Sequence, residues 1–449
     1  MEGFYKRAFK LALPMAMQQF ISISVNFVDT LMIGQLGEIP IAAVGLSNKV
    51  FFLYSLLLFG LCSGGSIFIA QFWGKKDFKN ISKSMSIMAV SSVIFSSVFF
   101  VMGAFFPHFT MRIFSPDIQV INQGAVYLFI IAFSIPFTGL TNVYEATLKS
   151  TEHPVLPMAA SLIALSGNIF LNWVFIFGNL GSPKLGVQGA AIATLIARIV
   201  QFMILFIASE IRKYPARFRI CDIKSISVNY LKMFFSYTVP TIGNEFLWSL
   251  GTVMYSIVYA HMSTQTIAAR NVMETVESFA FALLFALAGA TAIMIGKELG
   301  QSNYENARMT AKKMIVFTVM ISTFTLSLVL VFAKPMLGLF HVDDAVRKMI
   351  FNTLIISMLF VPIKTINLVG VVGILRAGGD TKFAFCTDVG AMWIIGVPMA
   401  FLAGILLKLP FELVYLFTMG EEVFKSFVLF FRLRSGKWIK NVVDAMQEI

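Results

Sequence analysis

Charge is scarce in this chain. Asp, Glu, Lys and Arg make up 13% of its 449 residues, too few to cover the surface of a water-soluble domain. Cysteine is nearly absent. Cys62, Cys221 and Cys386 lie far apart without CxxC or metal spacing, so a disulfide framework and a zinc site are excluded and all three read as structural. The 4 scattered histidines form no metal cluster. No Walker-type glycine loop and no nucleophile–His–Asp arrangement occurs, which leaves ATP hydrolysis without machinery and argues against an enzyme. A short apolar core followed by a small-residue cleavage site is also missing. The first apolar run is therefore expected to act as the insertion signal and to be retained.

Long apolar runs fill the space that charge leaves empty. The chain is 58% hydrophobic, with 47 Phe and 25 Met. A bilayer span needs roughly 20 mostly apolar residues at about 1.5 Å per residue. Twelve such spans are expected, near 9–33, 41–73, 84–106, 118–146, 155–178, 186–210, 229–259, 266–296, 309–333, 345–375, 383–406 and 410–431. The fold class is thus an all-α membrane protein whose first partner is the lipid bilayer. The polar, basic stretch 211–228 reads as a cytoplasmic linker between six-helix bundles at 1–210 and 229–449.

The net charge of +12 reflects topology rather than affinity for nucleic acid. Lys and Arg cluster in the N-terminus, in the second–third loop (Lys75, Lys76, Lys79, Lys83), in the linker (including Arg219 and Lys224) and in the tail. The opposite loops hold only Arg112, Lys184, Lys334, Arg347, Lys348 and Lys408. Both termini are accordingly expected in the cytoplasm, with the chain in the cytoplasmic (inner) membrane and monomeric.

The halves repeat. A shift of 226 positions lays Pro14 on Pro240, Ile41-Ala42-Ala43 on Ile267-Ala268-Ala269, Gly74 on Gly300, Phe114 on Phe340 and Pro136 on Pro362. Equivalent residues are an even number of spans apart, so the repeats share one topology and are related by an axis along the membrane normal, a layout common among transporters.

A carboxylate inside a span costs about 2.5–3.5 kcal/mol on insertion scales and is by default a functional hypothesis. Asp29 lies ~28 Å up its helix from Lys10, Asn168 and Asn172 ~21 and ~27 Å from Pro154, and Thr194 ~27 Å from Arg212. Asn168 and Asn172 are four apart and share a helix face. One carboxylate with amide and hydroxyl oxygens suits a hard cation such as Na⁺; the same carboxylate, desolvated, suits a proton. In the second half the acid is Glu245, where the first half has Gln19, and Lys364 lies at a similar depth. Glu245 and Lys364 read either as an ion pair or as substrate contacts. Arg270 with Glu274, and Glu421 with Lys425, are spaced as i,i+4 pairs. Asp388, ~9 Å from Lys382, is expected within reach of interfacial water. Asp29 is expected to have no basic neighbour.

These residues fall within longer signatures. FVDTLMIGQLGEIPIAAVGL (27–46), GGSIFIAQFWGKKD (64–77), NIFLNWVFIFG with PKLGVQGAAIAT (168–178, 183–194), AARNVMETVES with IGKELG (268–278, 295–300) and GILRAGGDTKF (373–383) appear in order along the chain. In this set the chain resembles the multidrug and toxic compound extrusion (MATE) transporters. The resemblance implies cation-coupled antiport, with Na⁺ or H⁺ as coupling ion and no other cofactor, exporting small cationic or amphipathic molecules. It implies an ion site at Asp29, Asn168, Asn172 and Thr194, with Asp29 as the Na⁺ ligand if sodium is used, and substrate contacts at Glu245, Lys364 and Gln19. A fifth-span Asp of the family's archaeal-type site is Asn in this chain, and the position of a tenth-span acid carried by some bacterial members falls near Thr365, beside Lys364. A flippase of lipid-linked saccharides from the same superfamily is the alternative; it would want more basic side chains than Lys364 and Arg198.

Overall fold

The computed structural model describes residues 2–218, 223, 225–338 and 343–447; Arg219, Cys221, Lys224 and Phe340, used above, lie outside them. The described chain is a succession of helices. The first half contains α1 (Glu2–Gly34), α2 (Glu38–Lys75), α3 (Phe78–Ala104), the short α4 (Pro107–Phe114), α5 (Ile118–Ala132), α6 (Ile135–Ser150), α7 (Val155–Phe177) and α8 (Val187–Ile211). The second contains α9 (Val228–Met262), α10 (Thr264–Gly300), α11 (Tyr304–Leu337), α12 (Asp344–Leu368), α13 (Thr381–Ala391), α14 (Phe411–Thr418), α15 (Gly420–Ser435) and α16 (Val442–Gln447).

Nine helices among the described residues are long and apolar enough to cross a bilayer. A tenth span is α5 with α6, bent by 50° at the break between them. The bend has a local cause: Pro136, at the start of α6, has no N–H to give the Ala132 carbonyl four residues back, so the helix cannot run through the break. With α9, and α14 continued by α15, the passes number twelve, as expected. α12 and α13 run on through π-helical turns at Val369–Leu375, Met392–Gly396 and Leu402–Leu406.

Two compact units result: Met17–Phe234, and Met1–Ala16 with Phe235–Ile449. In the first, α2 packs on α3, α5 and α6, and α8 on α5, α6 and α7. Tyr54, Leu58 and Ile135 form one core there, with Val44, Met111, Leu128 and Ile176 in another. In the other unit Ala8, Leu11 and Ala12 of α1 pack with Leu284, Leu287, Met314 and Leu354. Elsewhere the helices present apolar side chains outward. Val316, Met320, Phe324 and Val331 on α11, and Phe424, Phe427 and Phe431 on α15, are exposed. Such faces need a lipid solvent, and the helices satisfy their own backbone within it.

Candidate functional site: an acid, two asparagines and a cavity

The site in the first unit is built on the α7–α8 pair. α8 comes close to the end of α7 at Gly189, where a Cβ would stand 2.6 Å from the carbonyl oxygen of Phe175. That approach sets Asn168 and Asn172 of α7 beside Thr194 of α8. Asn172 donates from Nδ2 to Asp29 Oδ1 at 2.6 Å and to Asn168 Oδ1 at 3.2 Å. Asn168 Nδ2 donates in turn to Thr194 Oγ1 at 3.3 Å. The four residues named from the sequence therefore form one connected string. Both asparagines are buried, and Asn172 Oδ1 has no hydrogen-bond partner.

Asp29, Asn168 and Thr194 line a cavity of about 410 Å³. Among the described residues Asp29 makes no ion pair. It does, however, have a basic neighbour, contrary to expectation: Arg198, one turn along α8 from Thr194, lines the same cavity and acts electrostatically on Asp29. The Arg198 guanidinium donates to Gln201 Oε1 at 3.3 Å. Gln201 Nε2 donates to Glu145 Oε1 at 3.1 Å and to Ser161 Oγ at 3.0 Å. Glu145 also pairs with Lys149, at 3.3 Å. Gln19 is exposed and away from the cavity; its neighbour Gln18 is the buried one, donating to Ser161 Oγ at 3.1 Å. One residue along a helix is a rotation of about 100°, so position in sequence alone did not separate the two.

The second unit holds more buried charge, arranged differently from the sequence expectation. Glu245 does not pair with Lys364. Its carboxylate meets Arg376 at 2.7 Å, both side chains being almost wholly buried. Lys364 lies 3.8 Å from Glu277 and 2.9 Å from the Tyr415 hydroxyl. Glu277 also accepts from Ser357 and pairs with Arg270 at 2.9 Å. The i,i+4 pairs Arg270–Glu274 and Glu421–Lys425 are present at 3.2 and 3.7 Å. Asp388 is not left to interfacial water: Lys425 reaches it at 3.0 Å and Asn244 donates to it at 2.8 Å. Thr365 returns its hydroxyl to the Val361 carbonyl. Glu277 stands at helical spacing from Arg270 and Glu274, as the sequence shows; sequence reasoning missed Arg376 and the multiple partners of Lys425. Two acids at helical spacing from one lysine, Glu421 and Glu422 before Lys425, were the available signal.

Tandem helical repeats, with an oxygen-lined acid at a cavity inside one repeat, define a polytopic membrane protein of transporter type. The MatE family model matches residues 14–174 and again 240–402, its two matches starting at the 226-residue offset of the internal repeat. The chain belongs to the MATE family of transporters. Among curated relatives it is similar to the uncharacterized transporter YisQ of Bacillus subtilis, 23% identical over 96% of this chain and 95% of that protein. It is also similar to the probable multidrug resistance protein NorM of Thermotoga maritima, 24% identical over 99% and 95%. Among solved structures, a MATE protein in complex with MaL6 superposes with a TM-score of 0.87 at 18% identity, over 96% of this chain and 97% of that one, which shows the same fold.

Proposed function

We propose that the protein is a cation-coupled antiporter that exports drugs and organic cations across the cytoplasmic membrane, with both termini inside. The observation that carries this reading is Asp29. It is a carboxylate within a span, held by Asn172 and bordering a cavity, with no ion pair among the described residues to cancel it. A carboxylate in that setting needs an exchangeable partner, because desolvated charge without one is costly.

The donor set fits Na⁺ or H⁺ as that partner. Asp29, Asn168, Asn172 and Thr194 offer only oxygen acceptors, the choice of a hard cation, and the Asn172 carbonyl oxygen is buried without any other bond. In the transport cycle Asp29 takes the ion from the outer side, the cavity closes to that side, and the ion leaves inward. Asn172 orients the carboxylate throughout; Asn168 orients Asn172. The multidrug label of the Thermotoga relative supports a drug-like substrate. A cationic substrate that engaged Glu245 would have to compete with Arg376, and one that engaged Glu277 with Lys364.

The test is export of an organic cation into everted vesicles energised by a Na⁺ or a proton gradient. Asp29→Asn is expected to reduce gradient-driven export to background while the protein remains folded. Undiminished export in that variant overturns the proposal.

A further inference from the structure

Arg198 has no place in the mechanism above, although it shares the cavity with Asp29. It faces two carboxylates on different helices, Asp29 on α1 and Glu145 on α6, and acts electrostatically on both. Among the described residues it is salt-bridged to neither. It donates to Gln201, whose own amide is fixed on Glu145 and Ser161. Gln201 and Ser161 are each about 5–6% exposed, and the Oε1 of Gln18, which donates to Ser161, is buried without a partner. The guanidinium thus rests on a polar shelf, on a long flexible side chain, with room in the cavity beside it.

We propose that Arg198 is a tethered internal cation that competes with the coupling ion for Asp29, and that Gln201 and Glu145 form the shelf on which it rests when the ion is bound. The inference rests on the antiport reading of Asp29. An empty carboxylate within the membrane is costly, and a mobile guanidinium in the same cavity relieves that cost without leaving the protein. When an ion occupies Asp29, two cations on one carboxylate repel, and Arg198 stays with Glu145. Lys149 sets the balance from the far side: it shares Glu145 and so limits how firmly the shelf holds the guanidinium. The other groups facing this region are Tyr127, whose ring lines the cavity, and the neutral Asn26, Asn48 and Thr194. The arrangement weakens ion binding in exchange for faster release, which an exporter that must turn over requires.

The proposal makes opposite predictions for two neighbouring residues. Removing the competitor with Arg198→Gln lowers the half-saturating cation concentration at Asp29, by roughly tenfold or more for one unit charge in a protein interior. Weakening the shelf with Glu145→Gln releases Arg198 towards Asp29 and raises it. Arg198→Lys keeps the charge and stays near the wild-type value. Binding is read on purified protein with ²²Na⁺ at alkaline pH, and with the infrared carboxyl band that Asp29→Asn removes, followed across pH. If wild-type protein shows neither signal, the antiport reading itself fails. If wild type binds and Asp29→Asn does not, but Arg198→Gln binds no tighter or Glu145→Gln no weaker, Arg198 is structural and this proposal is overturned. Should Arg198→Gln not fold, the Glu145→Gln and Arg198→Lys measurements decide alone.

Discussion

Asn172 spends both its donor hydrogens on the site, one on Asp29 at 2.6 Å and one on Asn168 at 3.2 Å, and leaves its carbonyl oxygen without a bond. A neutral amide here holds the carboxylate but adds no charge to it. Replacing it by an acid, Asn172→Asp, should convert a single-carboxylate site into a pair. Two carboxylates at hydrogen-bond distance cannot both stay ionised without a cation between them. The variant is expected to bind Na⁺ more tightly, and to lose more thermal stability than wild type when Na⁺ is withdrawn at alkaline pH. Melting curves with and without Na⁺ give the answer; equal Na⁺ responses in both proteins count against a cation at this position.

The Glu245–Arg376 contact calls for a stability experiment. Both side chains are at least 89% buried, at 2.7 Å. Removing one partner of such a pair strands the other and costs about 3–5 kcal/mol. Arg376→Ala should therefore lower the melting temperature sharply in detergent. Glu245→Gln combined with Arg376→Gln should recover much of the loss, because no charge is left alone. A double substitution as harmful as the sum of the two singles means that the ion pair is not what holds α9 to α12.

The same pair marks how far the sequence could be read. The twelve passes, the internal repeat and the Asp29–Asn172–Asn168–Thr194 string were legible, because length, offset and helical depth are all one-dimensional quantities. Partner choice in the second unit was not. Depth brought Glu245 level with Lys364, yet the pairing depends on rotation about each helix axis, which depth does not specify. The π-helical turns at Val369–Leu375 change that rotation just before Arg376, and no propensity announces them. Arg376 falls one residue past the expected span 345–375, yet its side chain is 3% exposed. Gln18 and Gln19 differ in the same way: adjacent in sequence, they point a quarter-turn or more apart, and only packing shows which is inside.

Gly189 and Gly167 offer a paired test of how the site is supported. At Gly189 a Cβ would fall 2.6 Å from the backbone carbon and oxygen of Phe175, neither of which can rotate away. Gly189→Ala should force α8 off α7, cost about 1–3 kcal/mol as overpacking, and weaken cation binding by separating Thr194 from Asn168. At Gly167, on α7 one residue from Asn168, a Cβ meets nothing within 4 Å. Gly167→Ala should be neutral or stabilising by up to about 1 kcal/mol, through helix propensity. Melting temperature and ²²Na⁺ binding of the two variants should move apart; identical behaviour rejects close α7–α8 approach as the support of the site.

A last expectation concerns pH and lies outside the spans. His153 sits in the turn between α6 and α7, its ring 5.9 Å from that of Trp73 and 4.7 Å from that of Tyr214, centroid to centroid. Burial among these rings disfavours the charged imidazole and holds its pKa below the ordinary value. The unfolded chain, with His near ~6.5, then binds the proton more readily than the folded protein does. Stability from this residue is complete above that pH and is lost as pH falls from it through the lower folded value. Acidification from neutral to mildly acidic pH should therefore reduce the melting temperature of wild type more than that of His153→Gln, with the difference constant above neutrality. A wild type that gains stability over the variant on acidification would mean that the imidazole is charged in the folded turn, and that a carboxylate such as Glu152, which accepts from Trp73 at 3.2 Å, governs it instead of the rings.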